Sequence, residues 1–431
     1  MGILEKLFGL QKHGTSLKTE VIAGITTFMT MAYIIFVNPD LLGDTGMNEG
    51  AVMTATIVTA ALSCVVMGLL TNYPFALASG MGLNAFFAYT VAPEVGWQGA
   101  LAAVFISGVA FLILALLGLI EKIDAAVPSS LKKAVAAGIG LFIALIGFKN
   151  GGLVVGDPET LVTMGDITEP GPLVAILGLI ITAALMALKV KGAILLGIIA
   201  STFISFFVGL QAFPTSISDF IGQPASLAPI AFQFDFAAVW ELGIMTIFAL
   251  VFVDLFDTMG TLLGAGARAG YLNEQGNLPK VKNAMLADAI GTIGGAAAGT
   301  STVTTYVEST SGISEGGKTG FTAVVVGILF LLSLFLAPFA GLVPGEATAP
   351  ALIIVGVLMI GAVTGIDFED FTEAFPAFIT ISLMPFTYSI AHGIAGGFIA
   401  YPVVKLLAGK TSELNWFNYL LGIISIFHFI G

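Results

Sequence analysis

The chain has 431 residues, of which 57% are hydrophobic and 10% charged, and its mean hydropathy is +1.02. Soluble domains carry charge on roughly a quarter of their residues, so this composition excludes a soluble globular protein and indicates a chain embedded in lipid. The single cysteine, Cys64, excludes an intramolecular disulfide and a multi-cysteine metal site. Its three histidines are too scattered for metal-ligand spacing. We expect no cofactor, no metal and no nucleic-acid partner.

The N-terminal segment, 1–19, is predicted to lie on the cytoplasmic face of the membrane. Its apolar residues Ile3, Leu4, Leu7 and Phe8 recur at helical spacing and are interrupted by charged residues. This pattern favours an amphipathic interfacial helix over a cleaved signal peptide.

Fourteen membrane-spanning segments follow in our prediction. Twelve are continuous apolar runs bounded by Gly, Pro or charge: 20–39, 51–71, 99–120, 133–149, 172–188, 192–209, 238–264, 283–297, 319–337, 346–364, 370–390 and 393–408. Two more, 74–93 and 299–313, are apolar but interrupted by polar residues. The aromatic tail, 414–430, is predicted to lie in the membrane interface.

The basic residues predict the sidedness of these segments. With the N-terminus inside, fourteen of the fifteen Lys and Arg residues face the cytoplasm, and only Lys149 faces outward. This agreement requires both interrupted segments to count as crossings. We therefore predict a multi-pass protein of the cytoplasmic membrane with both termini in the cytoplasm.

The two interrupted segments point to a binding site. They read PFALASGMGLNAFFAYTVAP from residue 74 and AAAGTSTVTTYVESTSG from residue 296. Backbone that leaves a helix within a membrane must be buried or line a cavity, and transporters bind substrate at such broken helices. Asn84 and Glu308 lie 224 residues apart, each in the third span of a seven-span half. Because seven is odd, the two halves would form an inverted repeat with a site near the midplane.

The eighth predicted span carries two carboxylates in the stretch VFVDLFDTMGT. Asp254, Asp257 and two threonines fall on one helical face. Each ionisable group inside a bilayer costs on the order of 3 kcal/mol or more, which favours a functional role for both and for Glu308. The alternative is that the span ends early and both aspartates meet water. Arg268 lies eleven residues beyond Asp257, about 16 Å along a helix, and favours mid-membrane depth.

Polar residues elsewhere admit two interpretations. Thr26, Thr30 and Tyr33 form a row in the first span that either lines the site or bonds to backbone carbonyls. Asp288 lies in a weakly hydrophobic helix and is expected to pair within the protein interior.

Four stretches resemble those of the AzgA-type purine permeases, the adenine–guanine–hypoxanthine branch of the nucleobase–cation symporter-2 (nucleobase–ascorbate transporter) superfamily. They are ITTFMTMAYIIFVNP at 25–39, ASGMGLNAFFAY at 78–89, VFVDLFDTMGT at 251–261 and TTYVESTSGI at 304–313. The resemblance implies an all-α membrane protein with 14 spans as a 7+7 inverted repeat, and short strands in the broken third and tenth spans.

The resemblance also implies a division into core and gate domains. After 1–19, the core comprises 20–120 (spans 1–4) and 238–337 (spans 8–11). The gate comprises 121–237 (spans 5–7) and 338–431 (spans 12–14 and the tail). Substrate would lie between core and gate.

The implied activity is uptake of adenine, guanine or hypoxanthine by proton symport with alternating access, without catalysis. The family's binding residues fall on Asn84, Asp254, Asp257 and Glu308, and the three carboxylates are the candidates for proton coupling. Thr304, Thr30 and Phe86 complete the predicted substrate-binding set.

Other functions compete with this one. A uracil or xanthine permease would share the architecture, as would an anion transporter, another solute transporter or a channel, although an anion site would favour cations over carboxylates. An intramembrane aspartyl protease needs its two aspartates on separate helices, whereas Asp254 and Asp257 share one. Sodium as the coupling ion and a homodimer as the assembly both remain compatible with the sequence.

Overall fold

The computed structural model describes residues 2–273 and 277–430, so the outermost residues of the predicted first and last segments, Met1 and Gly431, lie outside it. The α-helices are α1 (Ile3–Phe8), α2 (Leu17–Met31), α3 (Ile34–Gly43), α4 (Glu49–Thr71), α5 (Met81–Phe86), α6 (Ala92–Leu117), α7 (Ile120–Ala126), α8 (Ser129–Asn150), α9 (Pro170–Ala187), α10 (Ala193–Phe207), α11 (Ile244–Ala269), α12 (Val281–Ala298), α13 (Ser309–Ser314), α14 (Gly320–Ser333), α15 (Ala337–Ala340), α16 (Gly345–Ile360), α17 (Phe371–Thr387), α18 (Ile390–Leu407) and α19 (Trp416–Ile430). The strands are β1 (Leu77–Ser79), β2 (Val154–Asp157), β3 (Leu161–Met164) and β4 (Val303–Thr305). A π-helix covers Phe87–Val91, and 3₁₀ turns cover Ile217–Asp219, Ala238–Glu241, Leu334–Leu336, Gly361–Gly365 and Thr411–Glu413.

Within the described residues, nine helical stretches are long and apolar enough to cross a membrane. This confirms a multi-pass helical membrane protein. Most predicted boundaries differ from those of the structure by a few residues, and two of the differences have a clear local cause. The first span begins earlier, at Leu17, because Ser16 caps α2 by accepting a hydrogen bond from the Thr19 amide at 3.2 Å. The eighth span begins at Ile244 rather than 238, since 238–241 forms a separate 3₁₀ turn.

Strands β1 and β4 join the two halves of the chain. They pair antiparallel, with Ala78 opposite Thr304. Each strand interrupts one of the two irregular segments, and each precedes a short helix, α5 or α13. Pairing satisfies the backbone groups that a broken helix would otherwise expose to lipid. The short strands that the family resemblance implies are therefore present.

Glycines allow α8 and α16 to approach closely. A Cβ added at Gly140 of α8 would lie 2.6 Å from the Met359 Cβ of α16, and one at Gly147 would lie 2.9 Å from the Ala349 carbonyl. Small residues at such crossings are typical of membrane helix packing. These glycines therefore let α8 and α16 pack as a close pair.

The tail forms helix α19, which packs antiparallel along α18. The Asn418 side chain donates to the Ala126 carbonyl at one end of α19, and the His428 ring lies tilted against that of His392 at the other, with ring centroids 5.2 Å apart. Midway, Gly422 approaches the Phe398 carbonyl. Since His392 belongs to the first turn of α18, α19 runs back along nearly the whole span. The interfacial position of the tail and the cytoplasmic C-terminus stay predictions.

We predict that the C-terminus lies in the cytoplasm, because fourteen crossings return the chain to the side on which it starts. Helix α19, about 22 Å long, is shorter than the hydrocarbon core of a bilayer. An alkaline phosphatase fused after Gly431, which is active only outside, should therefore be inactive, and a green fluorescent protein fused there should fluoresce. A matched fusion after Lys410, which removes α19, should give the same result. Phosphatase activity after Gly431 would contradict fourteen crossings.

Candidate functional site

Glycines bring the two broken segments together. A Cβ at Gly80 would lie 2.8 Å from the Thr304 Cγ2 across the strand pair. One at Gly82, in the first turn of α5, would lie 2.6 Å from the Ile139 Cγ2 of α8. Such distances do not occur between real side chains, so these positions need glycine. Gly82 thereby marks the place where the predicted core touches the predicted gate.

A central cavity of about 110 Å³ lies beside the strand pair. It is lined by Tyr33, Met81, Gly82, Ile139, Val253, Asp257, Thr261, Thr304, Thr305, Tyr306, Val307, Glu308, Val355, Leu358 and Met359. The predicted core contributes the polar groups, and the predicted gate contributes mostly aliphatic side chains. An apolar wall facing a few convergent polar groups is the usual form of a small-molecule site.

Glu308 and Tyr33 form the first polar contact of the cavity. Glu308 immediately precedes α13, and its Oε1 accepts a hydrogen bond from the Tyr33 hydroxyl at 2.9 Å. Tyr33 lies in the break between α2 and α3, and its ring lies 6.4 Å from that of Tyr306. The hydrogen bond holds one carboxylate oxygen and leaves Oε2 for another donor.

Asp257 supplies a second carboxylate to the cavity. It lies on α11, and its side chain is exposed at the cavity. Thr304 of β4 lines the same cavity, so the strand pair and this carboxylate face one space. Two of the predicted carboxylates and Thr304 therefore line one cavity.

Asp254 lies on the same arc of α11 but at its other edge. It is fully buried toward α12, where Thr292 donates to its Oδ2 at 3.3 Å. One turn further along α11, Thr258 donates to the Oδ2 of Asp288 on α12 at 2.7 Å. The structure thus gives Asp288 an interior partner, as expected, and places Asp254 beside it rather than on the cavity.

Asn84 is buried on α5, and neither atom of its amide has a hydrogen-bond partner among the described residues. Buried amides are normally paired, so this one is a candidate ligand group awaiting a partner. By contrast, Asn38 donates to Thr56 at 2.7 Å and to Thr300 at 2.8 Å. Asn84 does not line the central cavity in this conformation.

Aromatic residues at the cavity differ from the one predicted. Phe86 is completely buried in the protein core, whereas Tyr33 and Tyr306 line the cavity. Tyr306 also donates to the Ser79 carbonyl at 2.5 Å and so ties its ring to β1. Both tyrosines lie in the sequence stretches that resemble the family, Tyr33 at a helix break and Tyr306 two residues before Glu308. Their positions in those stretches could have identified them as site residues.

Two wider cavities lead from the site to one face of the protein. The first, about 520 Å³, shares Asp257 and Thr261 with the central cavity and is also lined by Lys132 and Lys133. The second, about 750 Å³, shares Glu308 and is lined by Lys189, Lys191 and Arg268 among others. We call them the lysine-lined vestibules. Their basic residues all belong to the predicted cytoplasmic set.

Thr30, in the polar row of the first span, both bonds to backbone carbonyls and lines a cavity, the two roles that the sequence left open. Its hydroxyl lies 2.8 Å from the Thr27 carbonyl and 3.2 Å from the Thr26 carbonyl, and the residue also lines the second vestibule. Its hydrogen bonds therefore stay within the helix, and its place is on the path beside the central cavity.

Membrane helices broken at a pair of short strands beside an internal cavity define a membrane transporter of the broken-helix class. Residues 18–396 match the sequence profile of the Permease family (Xan_ur_permease), and the chain belongs to this family.

Relatives of the chain include two curated permeases. It is 44% identical to the adenine permease AdeP of Escherichia coli, over 96% of this chain and 93% of that protein. It is also 44% identical to the guanine/hypoxanthine permease PbuG of Bacillus subtilis, over 99% of each. Among solved structures, the transmembrane domain of a cyanobacterial bicarbonate transporter, BicA, matches with a TM-score of 0.67. At 16% identity, over 87% of this chain and 97% of that one, BicA shares the fold.

Proposed function

We propose that the protein takes up purine bases, namely adenine, guanine or hypoxanthine, across the cytoplasmic membrane by proton symport. The observation that carries the proposal is the central cavity, where Asp257 and Glu308 of the second half of the chain meet Tyr33 of the first half. The relatives named as adenine and guanine/hypoxanthine permeases support this substrate class. A site with these carboxylates is unsuited to anions, so the shared fold of the bicarbonate transporter does not extend to its substrate.

The chemistry of the cavity matches the edges of a purine. Purines carry ring N–H donors together with ring-nitrogen and exocyclic acceptors. The free Oε2 of Glu308 and the Asp257 carboxylate accept hydrogen bonds from N–H groups, and the Asn84 amide, which lies off the cavity in this conformation, could donate and accept in another. The Tyr33 and Tyr306 rings lie where they can pack against the base.

The architecture that we propose has 14 crossings arranged as a 7+7 inverted repeat. Two findings support it. The paired strands come from the third and tenth predicted spans, which are equivalent positions in the two halves. The central cavity is lined from both the proposed core and the proposed gate. Both lysine-lined vestibules would then face the cytoplasm, and this conformation would be open to the inside.

Uptake by purified protein in vesicles tests the proposed function. Labelled adenine, guanine and hypoxanthine should accumulate when an inward proton gradient is imposed, whereas xanthine and uracil should not. One proton crossing 100 mV provides about 2.3 kcal/mol, enough for about fifty-fold accumulation of a neutral base. A proton ionophore should abolish accumulation. If none of the three purines accumulates, the proposed function is wrong. If they accumulate only when a sodium gradient is imposed, the coupling ion is sodium and not the proton.

We predict that Asn84→Ala abolishes purine binding without lowering the melting temperature. The wild-type amide has no hydrogen-bond partner among the described residues, so its removal relieves a desolvation cost of about 1–3 kcal/mol. This gain in stability offsets the loss from the small void that the alanine leaves. Asn38→Ala is the matched control: it breaks two buried hydrogen bonds and should lower the melting temperature. Thermal unfolding and equilibrium binding of purified protein measure both effects. Wild-type affinity in Asn84→Ala would make Asn84 a packing residue.

We further propose that the coupling proton resides on Asp254, next to Asp288, while Glu308 binds substrate as the anion. Neither Asp254 nor Asp288 forms an ion pair within the described part of the chain, and each has an Oδ1 without a hydrogen-bond partner there. Two unpaired carboxylates buried side by side cannot both be charged without a large penalty, so the pair holds a proton. Glu308 already receives one hydrogen bond, from Tyr33, that stabilises the anion.

The division of roles predicts different defects in two variants. Asp254→Asn should exchange labelled purine across vesicles but fail to concentrate it when a proton gradient is imposed, because the titrating group is gone. Glu308→Gln should lose exchange as well as accumulation, because the substrate acceptor is weakened. Concentrative uptake by Asp254→Asn would remove Asp254 as the carrier. Normal exchange by Glu308→Gln would remove its role as the anionic ligand.

A further inference from the structure

Five residues meet on the face opposite the lysine-lined vestibules. They are Asp44, after α3; Tyr89, in the π-helix; Lys149 and Asn150, which end α8; and Tyr388, which ends α17. We call them the outer clasp. Lys149 stands out in the sequence because it is the one basic residue predicted to face outward.

Tyr89 is the centre of the outer clasp. Its hydroxyl donates to Asp44 Oδ2 at 2.6 Å and accepts from the Asn150 amide at 3.3 Å. The Lys149 ammonium lies over the Tyr89 ring, 5.3 Å from its centroid, and 5.7 Å from the Tyr388 centroid. The two rings meet edge to face at 6.3 Å. Cation–π contacts and a hydrogen bond to a carboxylate are among the stronger polar interactions at a protein surface.

Most of these contacts cross from the proposed core to the proposed gate. Asp44 and Tyr89 belong to the core, whereas Lys149, Asn150 and Tyr388 belong to the gate. Close by, the Thr90 hydroxyl donates to the Tyr388 carbonyl at 2.9 Å. Thr348 of α16 likewise donates to Asp40 of α3 at 2.6 Å.

The backbone at the outer clasp is also unusual. Tyr388 adopts a left-handed conformation, with φ of 54°, which is uncommon for a bulky residue. Tyr89 lies in a π-helix, a form that recurs at functional sites. Strained conformations persist where the surrounding contacts hold them. The interactions at this face therefore hold two irregular backbone segments against each other.

The vestibule side is joined more weakly. Lys191 pairs there with Glu315, but both side chains are substantially exposed, and exposed ion pairs contribute little. Lys132 lies over the Phe256 ring at 5.4 Å, at the edge of the first vestibule. Wide cavities separate core from gate on this side, whereas side chains bridge them on the other.

We infer that the outer clasp is the external gate of the transporter, and that its contacts hold the chain in the conformation open at the vestibules. The inference rests on the proposed division into core and gate. Opening this face would require Tyr89 to leave Asn150, Lys149 and Tyr388 together. Breaking one contact should therefore raise the population of the opposite, outward-open state.

Cysteine labelling tests the inference without any substrate. Cys64 is the only cysteine and is buried, so a new cysteine reports its own exposure. Thr90→Cys places a reporter of nearly equal size inside the core–gate contact, and Ala136→Cys places one on the first vestibule. Each reporter is combined with Tyr89→Phe or Lys149→Met. Tyr419→Phe, on α19 away from the outer clasp, is the matched control.

The two reporters should respond differently. Tyr89→Phe and Lys149→Met should each speed thiol modification at position 90 by about fivefold. Losing one interaction of modest strength raises the population of the minor, outward-open state by about that factor. Modification at position 136 should not become faster. Rates at position 90 equal to those of the control would overturn the inference. Faster modification at both reporters together with Cys64 would also overturn it, because that pattern indicates loosened packing rather than a gate. Since no nucleobase is used, either failure leaves the proposed substrate untouched.

Discussion

The pairing of β1 with β4 is the constraint on which the rest of the structure depends. A helix that breaks within a membrane leaves amide and carbonyl groups with no water to bond, and each unsatisfied group costs several kcal/mol. Each broken segment supplies the hydrogen-bond partners of the other, so one strand pair satisfies the backbone groups at both breaks. The consequence is that residues more than two hundred positions apart are held at fixed register, Ala78 opposite Thr304.

The strand pair also explains where the polar groups of the site lie. Thr304 of β4 lines the central cavity with Asp257, and Glu308 follows the same strand three residues after its end. On the other side of the strand, Thr292 accepts from the Val303 amide and lies beside Asp254. The carboxylates that line the cavity, Asp257 and Glu308, are thus distinct from those buried between α11 and α12, Asp254 and Asp288. A movement of β4 would displace groups on both of its sides. In the mechanism that we propose, this movement links substrate binding at the cavity to the buried pair of Asp254 and Asp288.

Sequence reasoning located the broken segments and the boundaries of most spans because both depend on local signals, namely apolar length, glycine and polar interruptions. It placed Asp254 and Asp257 on one helical face, and the structure shows why this was insufficient: α11 has cavity on one edge of that face and α12 on the other. A helical wheel carries no information about which neighbour lies at which edge.

The remaining differences have the same origin in long-range packing. Phe86 looked like a stacking residue from its place beside Asn84, but tertiary packing buries it and presents Tyr33 and Tyr306 instead. The sequence of the tail suggests an interfacial helix because it opens with Trp416, Phe417 and Tyr419. Its position along α18 depends on the small Gly422 and on Asn418, contacts that only a partner helix reveals.

The central claim is that a purine lies between Asp257 and Glu308, against the paired strands. The most direct test is an experimental structure of the protein with guanine or adenine bound, compared with the same protein without it. We expect planar density in the central cavity, with one edge at Glu308, the other toward Asp257, and a tyrosine ring alongside. Density for the base in a lysine-lined vestibule, with the central cavity unchanged from the base-free structure, would contradict the account.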